Sequence, residues 1–152
     1  MSLSFTGPSG TAEHRWIVYA LMRDNVQHHL ENVPSSPGEF ESIHRIEQAL
    51  GGTPVMLSAQ RLRGELEAAR GLLPRPIRDL AVSERTRSVI DRSWPAPREQ
   101  ARDTILAEGN VSIAWISPNA RTLDEVFGNL VRSLLAITKD ARENDVVEVY
   151  DS

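Results

Sequence analysis

The run Val111-Ser112-Ile113-Ala114-Trp115-Ile116, followed by a periodic stretch from Leu123 to about Lys139 and then by Val146-Val147-Glu148-Val149-Tyr150, decides how this chain is read. In the first run Val111, Ile113 and Trp115 share one face of a period-2 strand, with Ser112, Ala114 and Ile116 on the other, so both faces can be buried. The middle stretch repeats Leu123, Val126, Phe127, Leu130, Val131, Leu134, Leu135 and Ile137, a wide apolar stripe at the helical period. Thr122 with Glu125 has capping-box spacing, and Lys139 and Arg142 suit the negative end of the helix dipole. The last run sets Val147 and Val149 inward against Glu148 and Tyr150 on a solvated side. Strand, helix and strand of these lengths make a βαβ unit with parallel strands and a right-handed crossover; an antiparallel pair across a packed helix is the competing geometry.

In open α/β sheets, ligands bind beyond the carboxyl ends of strands. The first place to look is therefore the loop Ser117-Pro118-Asn119-Ala120-Arg121, with Trp115, Ser117, Asn119 and Arg121 as candidate ligand-binding residues. Against an anion there stand Asp124 and Glu125 in the first helical turn, the lack of a Gly-rich run, and Arg121 as the sole cation. An ordinary capped turn competes with the ligand reading.

Outward from this unit, 152 residues suffice for one domain with a single core. Cysteine is absent, which excludes thiol catalysis, Cys-type zinc sites and disulfides. The longest uninterrupted apolar run, Trp16 to Met22, is far short of the ~20 residues that span a bilayer, and Met1 to Gly10 has no signal-peptide pattern. A soluble, cytoplasmic protein is expected, with no membrane partner. Net charge is −4. It divides into −3 over residues 1–60, +4 over 61–102 and −5 over 103–152, and nearly every base is Arg, with acids interleaved throughout. That pattern describes a solvated, ion-paired surface better than a nucleic-acid patch.

Residues 1–10 are rich in Ser and Gly and read as a disordered or appended lead, with a single globular domain over residues 11–152. From Thr11 to Val33 no Gly or Pro occurs, and Tyr19, Met22, Val26, Leu30 and Val33 make one stripe, widened by Ile17 and Leu21. One helix is expected, with a strand at Trp16 to Tyr19 as the alternative. Ser36, Pro37 and Glu39 signal a helix start, and Phe40, Ile43, Ile46 and Leu50 trace a short helix ending at Gly51-Gly52. Thr53 to Leu57 reads as a short buried strand that Pro54 either places at a sheet edge or restricts to the residues after the proline. Ser58 caps a helix with Leu62, Leu66, Ala69 and Leu73 inward and with Arg61–Glu65 and Glu67–Arg70 pairs on its outer face. Pro74 and Pro76 end it. Ser83 caps a further helix to about Arg92, Trp94 anchors a proline-rich connection, and residues 97–108 form another modest helix.

Three constellations bear on chemistry. Leu80 to Arg92 has the flavour of a helix-turn-helix, yet Pro74 and Pro76 interrupt the preceding helix, Ala81 stands where glycine is usual, and Arg87 stands where an apolar residue packs. Asp24, His28 and Glu31 share a helical face, and Glu41 with His44 has metal-bundle spacing, but that motif occurs once where two are needed. On a single helix His14 would lie roughly 21 Å from His28, too far to share an ion. Nucleophile elbows, phosphate loops and dinucleotide fingerprints are missing from the sequence. Gly64 and Gly128 fall inside helices, where each marks either a close helix approach or simple tolerance.

The expectation is thus an α+β, helix-dominated domain with a small sheet, built from the runs at 111–116 and 146–150 with Val55 to Leu57 as a possible third strand. No cofactor, metal or catalytic residue is assigned. The functional expectation is a non-enzymatic binding or regulatory module with a protein partner or a second copy. A small enzyme or ligand-binding domain with its pocket at 117–121 is the first alternative, and DNA binding through a degenerate helix-turn-helix near 80–92 is the second.

Overall fold

The computed structural model describes residues 2–31, 40–93 and 120–152. Among these residues the centre is a four-stranded, antiparallel sheet in the order β2-β1-β4-β3, from β1 (Ser2–Gly7), β2 (Gly10–Arg15), β3 (Val55–Ser58) and β4 (Val146–Asp151). The architecture is α+β, as the sequence implied. The expected lead is corrected: Ser2-Leu3-Ser4-Phe5-Thr6 alternates at period 2, and Leu3 and Phe5 are fully buried in a central strand. A two-residue connection, Pro8-Ser9, folds β1 onto β2, and Gly10 takes φ 142°, a backbone region that side chains disfavour.

β4 lies between β1 and β3, pairing Phe5 with Val149 on one side and Leu57 with Val147 on the other. Its Val147 and Val149 face the core and its Tyr150 faces out, as the alternation requires. The run Val111 to Ile116 lies outside the described residues. Both strands beside β4 run antiparallel to it, so among the described residues β4 belongs to no parallel βαβ pair.

The helix expected from Thr11 starts instead at Trp16, because Thr11 to Arg15 pair with β1. Helix α1 (Trp16–Val26) is buried on every side except at Val18, and a π-helical turn, Gln27–Glu31, continues it. Helix α2 (Glu41–Arg45) runs into a 3-10 turn, Ile46–Gly51, which Gly52 closes at φ 88°. β3 starts after Pro54, at Val55, and among the described residues lies at the edge of the sheet. Ser58 Oγ accepts the Arg61 N–H at 3.3 Å and caps α3 (Ala59–Arg70), whose Leu62, Leu66 and Ala69 are buried, as is Leu73 beyond it. Ser83 Oγ accepts the Thr86 N–H at 3.2 Å and caps α4 (Glu84–Ser93).

A second π-helical turn, Asp124–Gly128, leads into α5 (Asn129–Ile137), which carries the expected apolar stripe: Leu130, Val131, Leu134, Leu135 and Ile137 are buried. α3 and α5 pack on each other and on the inner face of the sheet, α5 against β1 and β2, α3 against β3 and β4. The carbonyl end of α5 is closed from outside the helix. Arg63 of α3 donates to the Leu135 carbonyl at 2.6 Å, and Ser9 of the hairpin donates its N–H to Ile137 and its hydroxyl to Lys139. These donors do what the sequence assigned to Lys139 and Arg142.

Candidate interaction surface

Of the four candidate ligand residues, Trp115, Ser117 and Asn119 lie outside the described residues. Arg121 is exposed, and its carbonyl accepts the Ile77 N–H at 2.9 Å. Thr122 forms a bridge with Pro76, the Leu123 amide donates to the Arg75 carbonyl and the Asp124 amide to the Leu73 carbonyl, each at 3.0 Å. The N–H groups with which this helix start would hold an anion are already satisfied by the chain itself.

The buried polar groups also have structural partners. Asn25 clamps the Ala81 peptide, its amide donating to the carbonyl at 3.0 Å and its oxygen accepting the N–H at 2.9 Å. Asp24 accepts the Ser83 N–H at 3.0 Å, which fixes the start of α4 against α1. Arg23 reaches Glu47 at 2.8 Å and Asp24 at 3.5 Å and lies over the Tyr19 ring, and Glu47 also holds Arg85 at 2.5 Å. These are ion pairs whose N–H groups do not all point along the line to the oxygen. Burial pushes the Tyr19 phenol far up, keeping it a neutral donor to the Ile43 carbonyl at 2.7 Å. Glu65, expected on the outer face of α3 with Arg61, is instead buried. Its carboxylate accepts the N–H groups of Ser42 and Ile43 at 3.2 and 2.9 Å and so caps α2 from another helix.

The histidines are dispersed among similar tasks. His14 sits in β2 and meets Ser133 at 2.9 Å, and burial lowers its pKa. His29 contacts the Asp79 carbonyl at 2.8 Å, and His44 meets Glu31 at 2.6 Å. The described residues bring no three metal-ligating side chains together. Gly64 has open space where a side chain would go, and at Gly128 a side chain would meet the Asp124–Arg132 pair, so neither marks a backbone approach. In the helix-turn-helix region, a long stretch separates α3 from α4, and Arg85 is engaged by Glu47.

Among the described residues, the outer face of the sheet where β3 and β4 meet is left without a partner. The large hydrophobic side chains exposed among the described residues are Met56 at 49%, Val146 at 45% and Tyr150 at 36%, and all three project from this face. Met56 stands directly opposite Glu148, and Val146 and Tyr150 lie two residues to either side of Glu148, within diagonal reach of Met56. An open depression of about 310 Å³ adjoins them, lined in part by Thr6, Pro8, Met56 and Val146.

The backbone of β3 adds a second element. The Ala59 N–H donates to the Asp145 carbonyl at 2.9 Å, in step with the β3–β4 register, so Val55 and Leu57 are the hydrogen-bonded partners of β4. The N–H and C=O groups of Met56 and the N–H of Ser58 therefore point away from β4, toward the sheet edge, while the Ser58 carbonyl takes the first hydrogen bond of α3. Among the described residues no strand pairs with that edge. The sequence offered the signal for this surface, namely Met56 and Tyr150 at the outward positions of two short alternating runs, but the register that joins them was not legible. Comparison of the chain with protein-family models, with characterised proteins and with solved structures finds no match.

Proposed function

We propose that this chain is a protein-binding module, and that it binds through the outer face and free edge formed by β3 and β4. The observation that carries this reading is the gathering of Met56, Val146 and Tyr150 on one sheet face. Scattered exposed hydrophobics are normal on any protein, whereas a cluster beside strand groups that no described residue pairs is the pattern of strand addition. A non-enzymatic role is supported by the use already made of the polar groups: Asp24, Asn25, Glu65, His14, His29 and His44 each hold a neighbouring element in place.

The test compares the immobilised full chain with a Met56→Glu/Tyr150→Ser double variant. The expected result is protein retained by the first and lost from the second, with both chains unfolding at the same urea concentration. Retention unchanged by the substitutions overturns the reading. So does hydrogen-exchange protection on binding that maps to the depression beside Asp24, His28 and Ser83 and leaves β3 unaffected.

A further inference from the structure

Resting on that reading, we infer that the partner of the β3–β4 face is a basic protein segment, with an arginine or lysine side chain seated on the hydrophobic patch and paired with Glu148. Glu148 stands at the centre of that patch. Met56 is opposite it on β3 and Thr6 is opposite it on β1, while Val146 and Tyr150 precede and follow it on the same face of β4. It is half-buried there. Among the described residues, no side chain forms an ion pair with its carboxylate.

That position decides what can cover the patch. A partner that takes Met56, Val146 and Tyr150 out of water takes the central carboxylate with them, and an ionised carboxylate withdrawn from water without a counter-charge offsets the gain from the apolar contact. A purely apolar segment is therefore a poor occupant. So is a second copy applied through the same face, because a two-fold axis through the patch brings one Glu148 toward the other. A basic side chain meets each surface in turn. Its aliphatic stem lies along Met56 and Val146, and its cation reaches the carboxylate. Arginine adds a planar guanidinium that stacks on the Tyr150 ring, which favours it over lysine.

The surrounding charge has the sign that this partner needs. Glu148 and Asp145 both line the depression beside Met56 and Val146, and no base is among its lining residues. The Asp145 carboxylate accepts the Arg142 backbone N–H at 2.8 Å, a contact with a neutral group that leaves its charge in place. Arg15, a base exposed on β2, pairs with Ser2 two strands away from β4.

Random heptapeptides displayed on phage and selected on the immobilised full chain provide the test. Selection on the parent should enrich arginine or lysine several-fold over the unselected library. Glu148→Gln should abolish that preference and Glu148→Lys should replace it with aspartate or glutamate, while both variants unfold at the parent's urea concentration. A peptide enriched on the parent should bind Glu148→Gln about tenfold more weakly, the loss of one charge-assisted contact. Enriched peptides without a basic residue, a basic preference that survives in Glu148→Gln, or no enrichment at all overturns the inference. A sedimenting mass that rises with concentration, and that Met56→Ser/Tyr150→Ser returns to the monomer, gives the face to a second copy and also overturns it. These outcomes leave the binding-module reading to its own retention test. That reading falls with this one if Met56→Ser/Tyr150→Ser selects the same peptides as the parent.

Discussion

Gly7 lies so close to the Ile137 carbonyl that a β-carbon on it would stand 2.6 Å from that oxygen. This tight backbone approach lets the β1–β2 turn close over the end of α5. The same carbonyl accepts the Ser9 N–H at 3.0 Å, and the Ser9 hydroxyl reaches Lys139 at 2.8 Å. Gly7→Ala must push the hairpin and the helix end apart, and is expected to cost about 1–3 kcal/mol. Ser9→Ala, which removes one side-chain hydrogen bond, should cost about 1 kcal/mol. Urea denaturation measures both, and a Gly7→Ala chain no less stable than the parent would refute the clasp.

Glu47 joins a buried guanidinium, Arg23, to an exposed one, Arg85. Removing Glu47 leaves Arg23 buried with only Asp24 and the Tyr19 ring, so Glu47→Ala is expected to destabilise by about 3 kcal/mol. Removing Arg85 costs a solvent-screened pair, with an expected loss of about 0–1 kcal/mol. Equal losses for the two variants in thermal or urea unfolding would mean that the network is not organised around Arg23.

Burial raises the pKa of Glu65 above the ordinary carboxyl value, against the opposing pull of the Ile43 and Ser42 hydrogen bonds and of Arg61. A raised folded-state pKa gives stability that is present below the unfolded value and is lost as pH rises through the folded one. Glu65→Gln keeps an acceptor for the α2 amides without the charge. The parent should therefore lose stability relative to Glu65→Gln between pH 4 and pH 7, although other carboxylates move both proteins alike. The opposite sign in paired urea titrations would contradict the assignment of burial as the dominant cause. Glu65→Leu should be worse than Gln at both pH values, because it strands two amides at about 1–3 kcal/mol.

His14 works in the other direction. Burial lowers its pKa, so its neutral ring stabilises the fold at neutral pH, and that contribution disappears as pH falls through the ordinary histidine range. An NMR titration should place its ring below the free-histidine value of about 6.5. His14→Gln should flatten the stability loss between pH 7 and pH 5. A His14 that titrates at or above the free value would remove this account of β2.

Where local chemistry decides, the chain was readable. Ser58 and Ser83 mark two helix starts, Pro54 confines β3 to the residues after it, and the apolar stripe from Leu123 to Ile137 and the alternation of Val147 and Val149 place a helix and a strand correctly. β1 was missed because its outward positions are Ser2, Ser4 and Thr6, a composition that resembles a linker, although Leu3 and Phe5 kept the period. β2 was less legible still: only Ala12 and His14 turn partly inward, so no hydrophobic alternation separates it from α1. Arg23, Asp24, Asn25 and Glu65 look like helix-surface residues in the sequence. Their partners come from Glu47, Ser83, Ala81 and the start of α2, and no local rule anticipates contacts that distant. The binding surface depends on the β3–β4 register in the same way.

The two middle strands of the sheet, β1 and β4, are drawn from positions as remote as Thr6 and Glu148, and β3 touches β1 only through β4. Topology of this kind delays closure, since the entropy of a very long loop must be lost before the pairing is rewarded. Until β4 arrives, the first hairpin and β3 are separate fragments, each with an open flank. A chain lacking residues 146–151 would keep its helical sequences and the β1–β2 hairpin, yet have no strand to join that hairpin to β3. The last strand to dock is therefore the keystone of the fold, and the slowest folding step should be the one in which it enters between its two neighbours.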